Sequence, residues 1–432
     1  MCNLLYRLLT KKLAPKGAFL LIKKNAIVFK ILYKKGENLM LSVTSLNDIL
    51  KSFYIDVVAK QINSGASPLY DMIEKSSVTV SGKNAIVPVY YGISGGIETT
   101  RDDGASLPEA NPCLRATLEV PLRNVYGVID ISDKALRVNK NSAEGVIDVL
   151  GTEIQAMVNS ARHTLNRMLW TNGNGKVGTV TDLTGHTSRL KYPMDSTRLL
   201  TPGMVVDIYR GSTAIHKAIR ISDVDHDQKM VYFTAMIPTS APLEAGDELY
   251  AYNSFSDELH GIPYLFDNSS DSYFGASKSK SSGVRGTERS LGGVLTTEAM
   301  QDFLDLLETR SDSTPDLIVC DKKLRRDYIQ YLQANRTNID YLNLDGGFRT
   351  LSYNGIPLYG EKCCPEGEMY FLNTDNIKMV QLADWEWLEG NNGTILNRLD
   401  DKAGYQAVLV KYANYVATVP SSLGRLYGIT TA

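Results

Sequence analysis

The chain is 432 residues long and has only five cysteines and five histidines. Cys2, Cys113, Cys320, Cys363 and Cys364 include no C-x-x-C pair, which leaves no sign of a thiol zinc site or a redox dithiol. Adjacent Cys363 and Cys364 cannot readily bridge each other, so all five are expected to be small apolar side chains in a reducing compartment. His163, His186, His216, His226 and His260 form neither H-x-x-x-H nor H-E-x-x-H, so no metal is expected. His163, on a helix, reads as a surface or interface residue. G-x-S-x-G is missing, and no Cys and His stand as a recognisable nucleophile with its base. Neither a cofactor site nor a catalytic residue is therefore expected. Long apolar runs are also lacking. Lys16, Lys23, Lys24 and Lys30 interrupt the only candidate before it reaches the roughly 18 residues that a membrane helix needs.

Positive charge is scarce outside one segment. Residues 1–39 hold nine basic side chains against Glu37, which leaves 37 basic against 47 acidic in the rest. An acidic body disfavours tight nucleic-acid binding, which needs clustered Lys and Arg for phosphate contacts. The basic segment lacks the uninterrupted apolar region and the cleavage site of a secretory signal. Back-translation of Lys35-Gly36-Glu37 permits a purine-rich ribosome-binding sequence, with Asn38-Leu39 as spacer. Translation is thus expected to start at Met40, with residues 1–39 an untranslated leader read in frame.

From Met40 the pattern is that of a folded protein, 43% hydrophobic over the whole chain. Leu46, Ile49, Leu50, Phe53, Val57, Val58 and Ile62 recur at helical spacing and mark a helical arm within residues 40–79. Two strand-like runs, SVTVSGKNAIVPVYYG and RATLEVPLRNVYGVIDIS, make a hairpin over 80–132. Its tip, ISGGIETTRDDGASLPEANPC, is far longer than a turn requires. Val146, Leu150, Ile154, Met157, Ala161, Leu165 and Met168 then step by threes and fours. Asn141 and Glu144 offer a capping box and Asn172-Gly173 an end, so one helix is expected over about 142–171, within a unit at 133–176.

Short alternating strands over 177–252 suggest an inserted β-barrel or sandwich. The Ser- and Gly-rich stretch 268–293 reads as a surface loop or linker. An α/β region follows within 253–390, and residues 391–432 close the chain with AGYQAVLVKYANYVATV. Apolar residues on both faces of that run predict a central strand. The fold class is α+β.

Two near-motifs fail on inspection. NGNGKVG has Trp170 and Val177 where a phosphate loop needs Gly and Ser or Thr, and it follows a helix instead of opening one, so it reads as a helix end. DVDHDQ has Gln228 and Thr234 where a calcium loop needs Gly and Glu, and reads as a hairpin turn.

The order of elements, with the phrases TSLNDILKSFY, MLWTNGNGKVGTV and LSYNGIPLYGEKCCPEGEMYFLNTDNIKM, resembles the major capsid proteins of tailed bacteriophages. Their fold, the Hong Kong 97 type, is shared with encapsulin compartments. The resemblance covers about residues 40–430. It implies an N-terminal arm, an extended loop, a spine helix and an axial domain. It also implies self-assembly through pentamers and hexamers into an icosahedral head enclosing double-stranded DNA, in a virion built in the bacterial cytoplasm. Scaffolding, portal and decoration proteins would be separate partners.

The long tip would then lie across a neighbouring subunit. Ordering some twenty residues costs roughly 1 to 2 kcal/mol each, which Ile93, Ile97 and Leu107 alone cannot offset within one chain. Ile97, Glu98, Arg101, Asp102, Asp103, Leu107 and Glu109 are the expected intersubunit contacts, their ion pairs individually weak. Residues 84–122 contain no lysine, so the lysine–asparagine cross-link of some family members is not expected. The other readings are an encapsulin-like compartment for a cargo enzyme, an enzyme with a pocket between the α/β and β regions, and a tail or adhesion protein.

Overall fold

The computed structural model describes residues 55–62, 67–77, 80–81, 83–95, 97, 99, 109, 112–134, 143–185, 187–334, 341–344, 348–390 and 393–430. The expected start at Met40 and the first part of the expected arm lie outside them, as do Cys2 and His186. Among the described residues the chain is mixed α and β, with five sheets and few helices. No helix among the described residues is long and apolar enough to cross a membrane.

The closing strand, Gly404–Ala417, lies within a six-stranded sheet. It pairs antiparallel with Arg123–Ser132 through ten positions, from Gly404 opposite Ser132 to Ala413 opposite Arg123. Ile377–Gln381, Glu386–Trp387 and Asn397–Arg398 also pair with it. Its central place follows from its composition, since a strand apolar on both faces must be covered on both. The expected long helix is present as Ala143–Leu169, 27 residues and about 40 Å. Ile154, Met157, Val158 and Leu165 are buried along it, and Met157 packs over Gly127 of the sheet.

A seven-stranded sheet forms the α/β region. Its strand Leu317–Asp321 is buried at every position, flanked by Met369–Leu372 and Ile356–Glu361. Ile318 and Cys320 turn to one face, where the helices Thr297–Ser311 and Lys322–Ala334 contribute Phe303, Leu307, Leu324 and Tyr328. Leu317 and Val319 turn to the other face and join the main core. Period-two alternation thus lets one strand serve two cores.

Residues 176–251 form a separate six-stranded sheet, ordered Lys176–Thr179, Glu248–Ala251, Val205–Arg210, Thr213–Asp225, Met230–Phe233, Lys191–Pro193. An antiparallel bridge between Val180 and Met194 joins its first and last strands. Both near-motifs resolve as expected. NGNGKVG leaves the helix end and turns into a strand through Gly173 and Gly175 at φ of +85° and +80°. DVDHDQ is a hairpin turn in which Asp225 Oδ1 accepts from the Asp227 and Gln228 amides, both at 3.0 Å.

The long helix ends in a tight junction. Arg167, near its C-terminus, is fully buried and pairs with Glu258 through both guanidinium Nη atoms. Gly261 lies against the last helical carbonyls, and an added Cβ would overlap the Met168 and Leu169 oxygens. Backbone cannot yield as a side chain can, so Gly261→Ala is expected to cost at or above the upper end of the ~1–3 kcal/mol typical of overpacking. A fall in thermal midpoint beyond that of Gly293→Ala, where a Cβ meets open space, would verify this.

Candidate assembly surface

The hairpin is built from Asn84–Tyr91 and Leu114–Pro121, in register from Asn84 opposite Pro121 to Tyr91 opposite Leu114. The second strand-like run divides after Pro121. Leu122 N donates to Lys83 O at 3.2 Å, and Arg123–Ser132 departs to pair with the closing strand. The hairpin base is therefore continuous with the central sheet.

Alternation gives the hairpin two faces. Ala85, Val87, Val89, Leu118 and Val120 are buried. On the opposite face Ile86 lies across from Glu119, Pro88 from Thr117 and Tyr90 from Arg115. Ile86 is 47% exposed and Tyr90 64%. Toward the tip exposure rises to 59% at Leu114 and 91% at both Ile93 and Ile97. Proline removes a ladder donor, so Pro88 blunts its strand edge against indiscriminate pairing.

The stretch 268–293, expected to be a loop or linker, instead packs along the hairpin, from Glu119 near its base to Tyr91 at the far end of the ladder. Ser272–Tyr273 and Ala276–Ser277 form a small hairpin, and Phe274 O accepts from Glu119 N at 2.9 Å. Phe274 and Gly275 both have positive φ, +48° and +87°. This conformation is unusual for a bulky residue, and the buried Phe274 ring packs on Tyr264 and His260. The Tyr273 hydroxyl accepts from Ala417 N at 3.0 Å. Gly283 abuts the Tyr91 ring, leaving no room for a Cβ. Asp271 organises the exposed side by accepting from the Ser277 and Ser279 hydroxyls at 2.7 and 2.8 Å. The Ser-rich composition reflects these side-chain bonds.

Of the expected contact residues, Ile97 and Glu109 are exposed. Glu98, Arg101, Asp102, Asp103 and Leu107 lie outside the described residues. Sequence reasoning missed Ile86, Tyr90 and Leu114, because the run around Pro88 is apolar at every position and carries no alternation to sort its faces. It also missed a second apolar surface, where Tyr126, Val128, Leu382 and Leu388 stand exposed on the central sheet.

A cavity of about 470 Å³ lies between the sheet of residues 176–251 and the α/β region, where the enzyme reading expects a pocket. Its cations are engaged. Lys176 pairs with Glu248 at 2.6 Å, Arg425 with Glu288 at 2.8 Å, and Arg198 donates to the Cys363 carbonyl. Burial pushes the Cys363 thiol up to about 11 and raises Cys320 and Cys364 as well, away from the reactive thiolate. Burial lowers His260 to about 4, and Asn414 lies 3.0 Å from its Nδ1. His163 is half-buried, with Nε2 2.8 Å from Thr201 Oγ1. No group of three or more metal-ligating side chains occurs among the described residues. Half-exposed Cys113 should react with an alkylating reagent before the other described cysteines, which are buried. Peptide mapping after brief treatment of the folded chain checks this.

No protein-family model matches the sequence. No curated protein matches it either. Among solved structures the chain is similar to the cyanophage A-1(L) capsid asymmetric unit, with a TM-score of 0.50 and 13% identity, over 84% of this chain and 93% of that one. It is also similar to the holo-SrpI encapsulin complex of Synechococcus elongatus, with a TM-score of 0.44 and 10% identity, over 87% and 95% of the two chains. The capsid of a native GTA particle gives a TM-score of 0.44 and 10% identity, over 85% and 91%. The first likeness establishes a shared fold.

Proposed function

We propose that this chain is the major capsid protein of a tailed bacteriophage or prophage, a non-enzymatic subunit that assembles with copies of itself into an icosahedral shell around double-stranded DNA. The observation that carries the reading is the hairpin. It is packed on its inner face, presents Ile86 and Tyr90 among polar neighbours on its outward face, and is increasingly exposed toward a tip too long for a turn. A surface of that kind is stabilised by burial against another molecule. The fold shared with a chain of the cyanophage A-1(L) capsid supports a second copy of the same chain as that molecule.

In this reading Ile97, Glu98, Arg101, Asp102, Asp103, Leu107 and Glu109 form intersubunit contacts, joined by Ile86, Tyr90 and Leu114. The helix Ala143–Leu169 acts as the spine of the peripheral domain, to which residues 391–432 return. The six strands between 176 and 251, joined edge to edge by the Val180–Met194 bridge, act as a small barrel inserted at 177–252, and 253–390 act as the axial domain. Residues 40–79 form the arm. Pentamers and hexamers, with separate scaffolding, portal and decoration proteins, complete a virion assembled in the host cytoplasm. An acidic body suits a wall that must not hold its DNA tightly. The paired charges around the cavity favour a structural role for that space.

Electron microscopy of the purified full-length protein tests the reading. Closed shells of capsid size are the expected result. A monodisperse small species under all assembly conditions refutes it, and shells that carry a protein cargo in place of DNA point to the encapsulin-like compartment.

A further inference from the structure

Strand Ile356–Glu361 ends against the long helix at a contact that an ionised side chain would leave unsatisfied. Glu361 is buried, 4% exposed. Its Oε1 accepts from Asn166 Nδ2 at 3.2 Å, Lys362 N at 2.8 Å and Cys363 N at 3.4 Å. Its Oε2 is buried with no donor, and so is Oδ1 of Asn166, on the same amide that meets Oε1. A carboxylate here would leave two bare acceptors, one sharing a full negative charge, and each costs desolvation energy that nothing returns. One proton removes both deficits.

We propose that Glu361 is held protonated in the folded chain. Its Oε2–H donates to Asn166 Oδ1 while Asn166 Nδ2–H donates to Glu361 Oε1, closing an acid–amide ring between the seven-stranded sheet and the long helix. The joint between these two elements is thereby a proton-binding site, whether or not the chain builds a shell.

The neighbouring charges do not supply a counterion at hydrogen-bond distance. On the helix, Arg167 is committed to Glu258. His163 is held below its ordinary value chiefly by burial, then by Lys362 and Arg167. Arg198, from the loop beside the six-stranded sheet, donates to the Cys363 carbonyl. On the strand itself, burial and then Glu361 push Tyr359 up to about 12, and Cys363, two residues beyond the strand's end, is raised likewise. Lys322, at the start of its helix, is the one cation whose pull on Glu361 is felt, and it is the least of the influences. Burial leads, and the carboxyl rises above its ordinary 4.5. The sign follows. Stability from this joint is complete below that ordinary value and is lost as pH rises through the folded one.

Infrared spectroscopy of the full-length protein across a pH series tests this. A protonated-carboxyl carbonyl band is expected to persist well above the pH at which exposed carboxyls have ionised, and to vanish in Glu361→Gln. In Asn166→Ala the band should shift to the higher frequency of a carboxyl that has lost its acceptor. The wild-type thermal midpoint should fall over the pH range in which the band disappears, while Glu361→Gln holds steady there. No such band in the wild type, a band that survives Glu361→Gln, or equal pH dependence in the two proteins overturns the proposal. Should Glu361→Gln fail to fold, the wild-type band titration alone decides, because its absence is sufficient to refute.

Discussion

Replacing residues 92–113 by an Asn-Gly turn should yield a folded chain that no longer forms large particles. The replacement is geometrically permitted, because Tyr91 and Leu114 are already cross-strand partners and a two-residue turn closes such a pair. The buried face of the hairpin, from Ala85 to Val120, is left intact, so the thermal midpoint of the dissociated subunit should change little. Assembly should be lost outright, because a shell repeats each contact throughout its lattice and a small loss per contact is multiplied. Light scattering on the truncated and parent chains checks this, and truncated chains that still form the parent particle would remove the tip from the account. A milder version, Tyr90→Asp with Ile86→Asp, should weaken assembly while leaving the circular dichroism spectrum unchanged.

The second large effect concerns Arg167 and Glu258, whose side chains are 2% and 1% exposed. Glu258→Ala leaves a guanidinium uncompensated in the core at the end of the long helix. Breaking one partner of such a pair costs about 3–5 kcal/mol, here at the point where the helix, the six-stranded sheet and Gly261 converge. Replacing both, as Arg167→Met with Glu258→Leu, should cost clearly less, because it removes the charges together. Chemical denaturation of the parent, Glu258→Ala and the double variant provides the comparison. A double variant as unstable as Glu258→Ala would show that shape, and not charge burial, dominates there.

Legibility in the sequence followed the scale of the interaction. The long helix announced itself because Ile154, Met157 and Leu165 repeat at its own period. The central placing of Gly404–Ala417 was readable because a strand between covered faces must be apolar on both. The stretch 268–293 was not readable as packed structure. Its few large side chains, Tyr273, Phe274 and Val284, are diluted among serines that hydrogen-bond to Asp271, and composition alone cannot separate a satisfied serine from a solvated one. The Arg167–Glu258 pair joins residues 91 positions apart, and the Glu361–Asn166 contact joins residues 195 apart. No local pattern encodes either. At the candidate surface the length of the tip was evident from its turn residues. The outward placing of Ile86 and Tyr90 was obscured because the same strand is apolar inward as well.

Hydrogen exchange at the hairpin amides, compared between dissociated subunits and assembled particles, bears most directly on the idea that this surface is completed by another copy. Strong added protection from Ile86 through Ile97 and at Leu114 on assembly, with little change in the already buried strand Leu317–Asp321, is the predicted result. Equal exchange of these amides in both states would contradict it.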